Sequence, residues 1–361
     1  MTSRAVAARH RLAIRLGIDR RWAVLWVVLS GLFTTGFTIT LLVVSLGRIA
    51  DQMHTSTSVL TWAITGPMLA FGVVGPAFGK AGDLWGHKRI FVGGLFFASV
   101  FAMLSAKAWN PATLIVFRTL SATAGSACSP SAMAYINRVF EPGDRLKPLG
   151  YWNLVTAGSP VVGVVIGGPL VEAVGWRAIF MVQAPLCAVG FLVALWLLPA
   201  TPRVSGVRFD IAGSMLLGVG ASSLLAAISQ GRFWGWGSPA TIACLSVAVV
   251  ALRAFIAVER RTVAPLVVLQ WFRTRNFAWP VLSQGLANFA YMGGFFLIPQ
   301  VLGTRGLGFG EATTGYLVIA RPLAFSLVAP AAAMVTMRVG ERVAGVVGGL
   351  GVAVSMVMWA T

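Results

Sequence analysis

The sequence predicts an all-α polytopic membrane protein, and three observations carry that prediction. Of 361 residues, 57% are hydrophobic and 11% charged, with a mean hydropathy of +0.83, a balance foreign to soluble domains. Apolar runs near the roughly 20 residues that a helix needs to cross a bilayer recur from Trp22 to the last residues. The net charge of +18 comes from basic residues set singly between those runs, which suits membrane topology and not a nucleic-acid surface.

Residues 1–21 carry Arg4, Arg9, Arg11, Arg15, Arg20 and Arg21 against Asp19 alone, so this basic N-terminus is expected in the cytoplasm. The run that follows is longer than a signal-peptide core and ends in no small-x-small site, which implies a retained first span. The apolar pattern then predicts spans at 22–46, 59–78, 90–107, 111–136, 150–174 and 177–198. A polar, proline-containing link at 199–208 separates these from spans at 210–229, 239–258, 277–302, 312–335 and 343–360, eleven in all. With the N-terminus inside, only Arg48, Lys107, Arg177, Arg232 and Arg305 fall outside, and Arg118, Arg253 and Arg321 fall within spans. Cys128, Cys187 and Cys244 lie in spans with no metal or disulfide spacing and read as small packing residues.

Polar residues inside the spans are the candidate substrate pathway, because such groups are costly in hydrocarbon. Thr34 and Thr38 stand at i and i+4 on the first helix; Gln284, Asn288 and Tyr291 stand at i, i+4 and i+7 on the ninth. Asn153, Thr156 and Ser159 follow a related side of the fifth, and Arg118 and Arg321 place cations within spans. A cation facing a central cavity favours an anionic or amphiphilic substrate. The alternative for Arg118 is snorkelling to the surface, and for the polar stripes it is hydrogen bonding between helices. The 10 acidic residues and the 3 histidines all fall in loops or at helix ends. No span therefore carries the usual titratable proton carrier.

The stretch Gly79-Lys80-Ala81-Gly82-Asp83-Leu84-Trp85-Gly86-His87-Lys88-Arg89 is expected to be a tight charged turn, with Asp83 able to cap a helix start and Lys88 and Arg89 anchoring the next helix. Glycine, four residues to aspartate, three to glycine, then a basic pair resembles the loop between helices 2 and 3 of the major facilitator superfamily. Arg118, followed by Ser121 and Ala122, is similar to that superfamily's arginine of helix 4. Gly163, Gly167 and Gly168 resemble the antiporter motif, with Val164 where a proline is expected. Asp210 to Gly213 after Phe209, Gly231-Arg232-Phe233-Trp234-Gly235-Trp236, and Phe272-Arg273-Thr274-Arg275-Asn276-Phe277 resemble the fourteen-helix drug:proton antiporters, the EmrB/QacA-type exporters.

That resemblance implies a major facilitator superfamily fold with inverted helix repeats. It divides the chain into the cytoplasmic N-terminus 1–21, a six-helix bundle 22–198, a linker region 199–276 with two extra helices, and the first three helices of a C-terminal bundle at 277–361. The C-terminal bundle is then incomplete, and the chain is expected to stop three helices early. The resemblance also implies export of small organic compounds across the plasma membrane by alternating access, with Gly79, Asp83, Gly86, Lys88 and Arg89 as a conformational gate loop. In that family the first helix supplies an acid where this chain has Thr38. An uncoupled facilitator or sensor, and a truncated non-transporting product, therefore stay open beside the exporter. The expected partners are a small-molecule substrate and the lipid bilayer, not nucleic acid. No cofactor motif, metal spacing, phosphate loop or nucleophile–base set suggests an enzyme.

Overall fold

The protein was analysed as a computed structural model, which describes residues 19–38, 41–202, 210–262, 265–302 and 311–360. Most of the basic N-terminus, part of the 199–208 link, Phe209 and Arg305 lie outside the described residues. Those described are overwhelmingly helical, with no strand among them. Seven of the helices are long and apolar enough to cross a membrane, so with the fold described below the chain is a multi-pass membrane protein.

The first expected span is two helices, α1 (Arg20–Gly36) and α2 (Leu41–Gln52). Asp19 caps α1 by accepting from Arg21 N, and the helix ends at a turn over Phe37 and Thr38. The second span likewise divides into a short α3 (Thr57–Leu60), capped by Ser56, and a long α4 (Trp62–Trp85). The expected turn at 79–89 is corrected here, because α4 continues through Gly79, Gly82 and Asp83 to Trp85 and only Gly86 separates it from α5 (His87–Ala106). Gly86 has φ +93°, the left-handed region where an L side chain is strained, so this one glycine makes the whole reversal. Asp83 does not cap a helix start; it lies in the last turn of α4.

The fourth span breaks at Ser126–Ala127 into α6 (Pro111–Gly125) and α7 (Cys128–Val139). Pro111 sits at the first turn of α6, where its missing N–H costs nothing, and Asn110 with Thr113 forms a reciprocal cap. Then follow α8 (Leu146–Val174), α9 (Arg177–Leu197), α10 (Ile211–Trp234), α11 (Pro239–Glu259), α12 (Arg275–Leu302), α13 (Glu311–Val339) and α14 (Glu341–Ala360).

The core of the first half forms two layers stacked along the bundle axis. Leu25, Leu29, Phe91, Leu95, Tyr135, Ile136 and Leu198 join α1, α5, α7 and the end of α9. Leu42, Ile49, Leu60, Leu114, Trp176 and Phe180 join α2, α3, α6 and the start of α9 at the opposite end. Polar ties fix the first layer: Lys88 Nζ donates to Leu198 O at 2.7 Å and Tyr135 OH to Pro199 O at 2.7 Å. Lys88 is thus a specific strut between α5 and α9 rather than a diffuse interfacial anchor. Cys128 and Cys187 are buried, as small packing residues should be, whereas Cys244 is half-exposed.

The α10–α11 hairpin packs most closely on itself and touches the first bundle along α4, where Gly218 meets Val73. Helix α13 lies along α8, and a side chain at Gly150 would press on Pro330 and Ala333. Most described residues of α14 are exposed.

Candidate functional site

The break in the first span creates the site. Beyond the end of α1 the carbonyl of Thr38 lies outside regular helix, and Arg118 of α6 reaches it across 80 residues of sequence. Its Nη2 donates to Thr38 O at 2.7 Å and its Nη1 to Thr38 Oγ1 at 3.3 Å. The guanidinium also lies 5.4 Å from the centre of the Phe180 ring, a cation–π placement that a dry setting strengthens. Arg118 is 4% exposed, so it does not snorkel. Among the described residues, the enclosing walls supply backbone and ring and no ion-paired carboxylate.

Gly163 explains why the break fits where it does. A side chain at that position would collide with Phe37 O, so α8 can approach the turn at the end of α1 only through glycine. Gly163 therefore belongs with Thr38 and Arg118. Gly167 and Gly168 lie on α8 in a stretch whose surroundings fall outside the described residues.

Beside this junction is a cavity of about 220 Å³. Thr35, Thr38, Arg118, Ser121 and Gln183 give it polar points, and Ile64, Pro67, Met68 and Phe71 of α4 give it an apolar wall. That mixture of apolar walls with a few polar groups suits a small organic ligand. The expected Thr34/Thr38 stripe is corrected: α1 stops before Thr38, so the two are not on one helical face, and Thr35 takes the cavity position. Thr34 instead turns to α9, where its carbonyl accepts from Gln183 Nε2 at 3.5 Å and Cys187 Sγ at 3.6 Å. Gln183 was not among the sequence candidates. Its signal was a lone amide in the apolar run of α9.

A second polar group lies on α12 and α13. Arg321 Nη2 donates to Ala290 O at 3.2 Å, and its guanidinium lies 5.1 Å from the centre of the Tyr291 ring. A side chain on Gly294 would occupy the space of Arg321 Nη1. Asn288 and Gln284, one and two turns before Tyr291 on α12, are exposed. Asn153 is half-buried one turn beyond Gly150 on α8. Among the described residues no hydrogen bond or ring contact joins this second group to the Arg118 group.

In the expected gate loop, Asp83 Oδ1 pairs with His87 Nε2 at 3.1 Å across the Gly86 break. The described ion pair of Asp83 is thus with His87, one turn away, and Arg89 is exposed.

Interrupted helices beside a mid-bundle cavity suit a polytopic membrane protein, since non-helical backbone inside a membrane is tolerated where protein or a cavity covers it. The Major Facilitator Superfamily profile matches residues 28–361, and the chain belongs to that superfamily. It is 29% identical to the tetracenomycin C resistance and export protein of Streptomyces glaucescens, over 84% of this chain and 58% of that one. It is 32% identical to the puromycin resistance protein of Streptomyces alboniger, over 78% and 54% respectively. The multidrug transporter protein MdtP of Bacillus subtilis matches at 28% identity over 75% of this chain and 50% of its own. The chain thus spans about half the length of these relatives. The names of these relatives refer to transport and resistance, and membership of the superfamily makes this chain a transporter-type membrane protein.

Proposed function

We propose that the protein acts as a secondary transporter exporting small organic or amphiphilic compounds across the plasma membrane by alternating access, with its N-terminus cytoplasmic. The observation that carries this reading is the Thr38 break, held by Arg118 and opening on a cavity with apolar walls. Names of relatives that include resistance and export support the direction. On this reading 22–198 forms the first bundle, 199–276 the inserted region and 277–361 part of the second, in the fourteen-helix pattern. Thr35, Thr38, Arg118 and Gln183 serve the substrate in the first half. Asn153, Gln284, Asn288, Tyr291 and Arg321 serve it elsewhere, and Gly79, Asp83, Gly86, Lys88 and Arg89 form the cytoplasmic gate.

One observation favours an uncoupled facilitator or sensor with the same fold. Thr38 stands where the resembled family carries its acid, and its hydroxyl, which accepts from Arg118 Nη1, does not ionise near neutral pH as a carboxyl can. Counterflow of a labelled amphiphilic drug in proteoliposomes, with and without a pH gradient, separates the readings. Counterflow unaffected by the gradient supports uncoupled transport, gradient-driven accumulation supports antiport, and no specific counterflow or binding contradicts both.

A further inference from the structure

A groove on the side of the first bundle, separate from the Arg118 cavity, has the form of a lipid site. It runs between the second half of α5 and the first half of α9 and encloses about 460 Å³. Val100, Met103 and Leu104 line one side, and Met181, Pro185 and Ala188 the other. Val100, Met103 and Met181 are 39%, 42% and 52% exposed, so the groove opens away from the bundle core. Small side chains at Ala184 and Ala188 and the ring of Pro185 leave it unfilled, while Ser99 Oγ closes its floor by donating to Ala184 O at 2.7 Å.

Its depth has a natural measure. The α5 wall from Ser99 to Lys107 rises about 12 Å at ~1.5 Å per residue, close to the depth of one leaflet, about half of a ~30 Å hydrocarbon core. Charge is concentrated at one end only. Lys107, the lining residue that directly follows α5, is exposed there. Arg177 of α9 reaches the same end, donating from Nη2 to Ala108 O at 3.2 Å and lying 4.4 Å from the centre of the Trp176 ring. Among the described residues neither cation has a carboxylate within ion-pair distance. Trp109, 72% exposed, stands beside them, where an indole suits the interface between headgroups and hydrocarbon. The predicted topology makes the placement sharper, because Lys107 and Arg177 are two of the few basic residues on the sparsely basic side.

We infer that the α5–α9 groove binds one anionic phospholipid, with an acyl chain between the helices and its phosphate on Lys107 and Arg177. The site is independent of the transport cavity, and it stands whether or not the proposed export is correct. A lipid held there bridges two helices that also carry the first-half core, so its occupancy tunes how tightly α5 and α9 stay together.

Native mass spectrometry of the purified chain, delipidated and offered phosphatidylglycerol and phosphatidylcholine with identical acyl chains, tests the inference. The expected result is preferential retention of one phosphatidylglycerol. Lys107→Gln lowers that preference about fivefold, the factor that ~1 kcal/mol per interfacial basic residue represents, and Lys107→Arg preserves it. Because Lys107 is exposed, the substitution leaves helix packing intact, and an unchanged melting temperature verifies this. Ala188→Leu, which fills the groove, reduces retention of both lipids. Equal retention of the two lipids by the unmodified chain, or a preference untouched by Lys107→Gln, indicates shell lipid only and overturns the site.

Discussion

Arg118 and Arg321 share one chemistry in two settings. Each sits within a helix, donates to a main-chain carbonyl outside that helix and lies near the face of an aromatic ring. Around Arg118, helices α1, α6 and α9 pack closely beside the cavity, and Arg118 and the neighbouring Thr38 are 4% and 1% exposed. Among the described residues Arg321 is half-buried, and on the facing helix Leu286 is 63% and Phe289 80% exposed. An enclosed guanidinium spends its donors on holding the protein together, whereas a half-buried one keeps donors that a ligand can use. On the proposed reading, Arg118 mainly fixes the helix break and Arg321 reads the charge of the substrate.

Substitutions can break this contrast, and the largest effect belongs to the enclosed side. Arg118→Ala removes both donors to Thr38 and leaves a buried carbonyl without them, which should cost about 3 kcal/mol. A clear fall in melting temperature in detergent is expected, with Arg118→Lys intermediate. Gly163→Ala comes next, because its methyl group meets Phe37 O; overpacking of this kind costs roughly 2 kcal/mol. The control is Gly345→Ala on α14, where nothing lies within contact distance and the same assay should show no loss.

On the open side the effects move from stability to binding. Gly294→Ala should displace the Arg321 guanidinium and weaken an anionic amphiphile about tenfold in equilibrium binding, the loss of one charge-assisted hydrogen bond worth ~1.5 kcal/mol. A cationic amphiphile of the same size should be little affected. The smallest effect is expected from Asp83→Asn. The carboxylate is 42% exposed and its described ion pair is with His87, and such pairs contribute about 0–1 kcal/mol. A melting shift as large as that of Gly163→Ala would reveal a further role for Asp83.

How much of this was legible in the sequence follows from what each residue depends on. Apolar runs marked the helices, since hydrocarbon demands them whatever the packing. The interruption after Gly36 was not legible, because residues 22–46 are uniformly apolar with small and hydroxylated residues that helices tolerate. It is a tertiary effect, sustained by Arg118 from α6 and permitted by Gly163 from α8. Arg118, Thr38, Tyr291 and Arg321 stood out as polar groups in apolar spans, and the structure pairs them as Thr38 with Arg118 and Tyr291 with Arg321. Gly294 could not be singled out, for its importance lies in the space it leaves for a side chain on another helix. The 79–89 stretch misled through its glycines, of which only Gly86 adopts a conformation that requires one.

The most direct test of the division between the two arginines is made on Arg321. Binding of a matched anionic and cationic amphiphile is measured on the unmodified chain and on Arg321→Ala, with melting temperatures of the same preparations. The account predicts an unchanged melting temperature and a selective loss of anionic affinity of about tenfold. A lowered melting temperature with both affinities unchanged would show that Arg321 only holds helices together, and would contradict it.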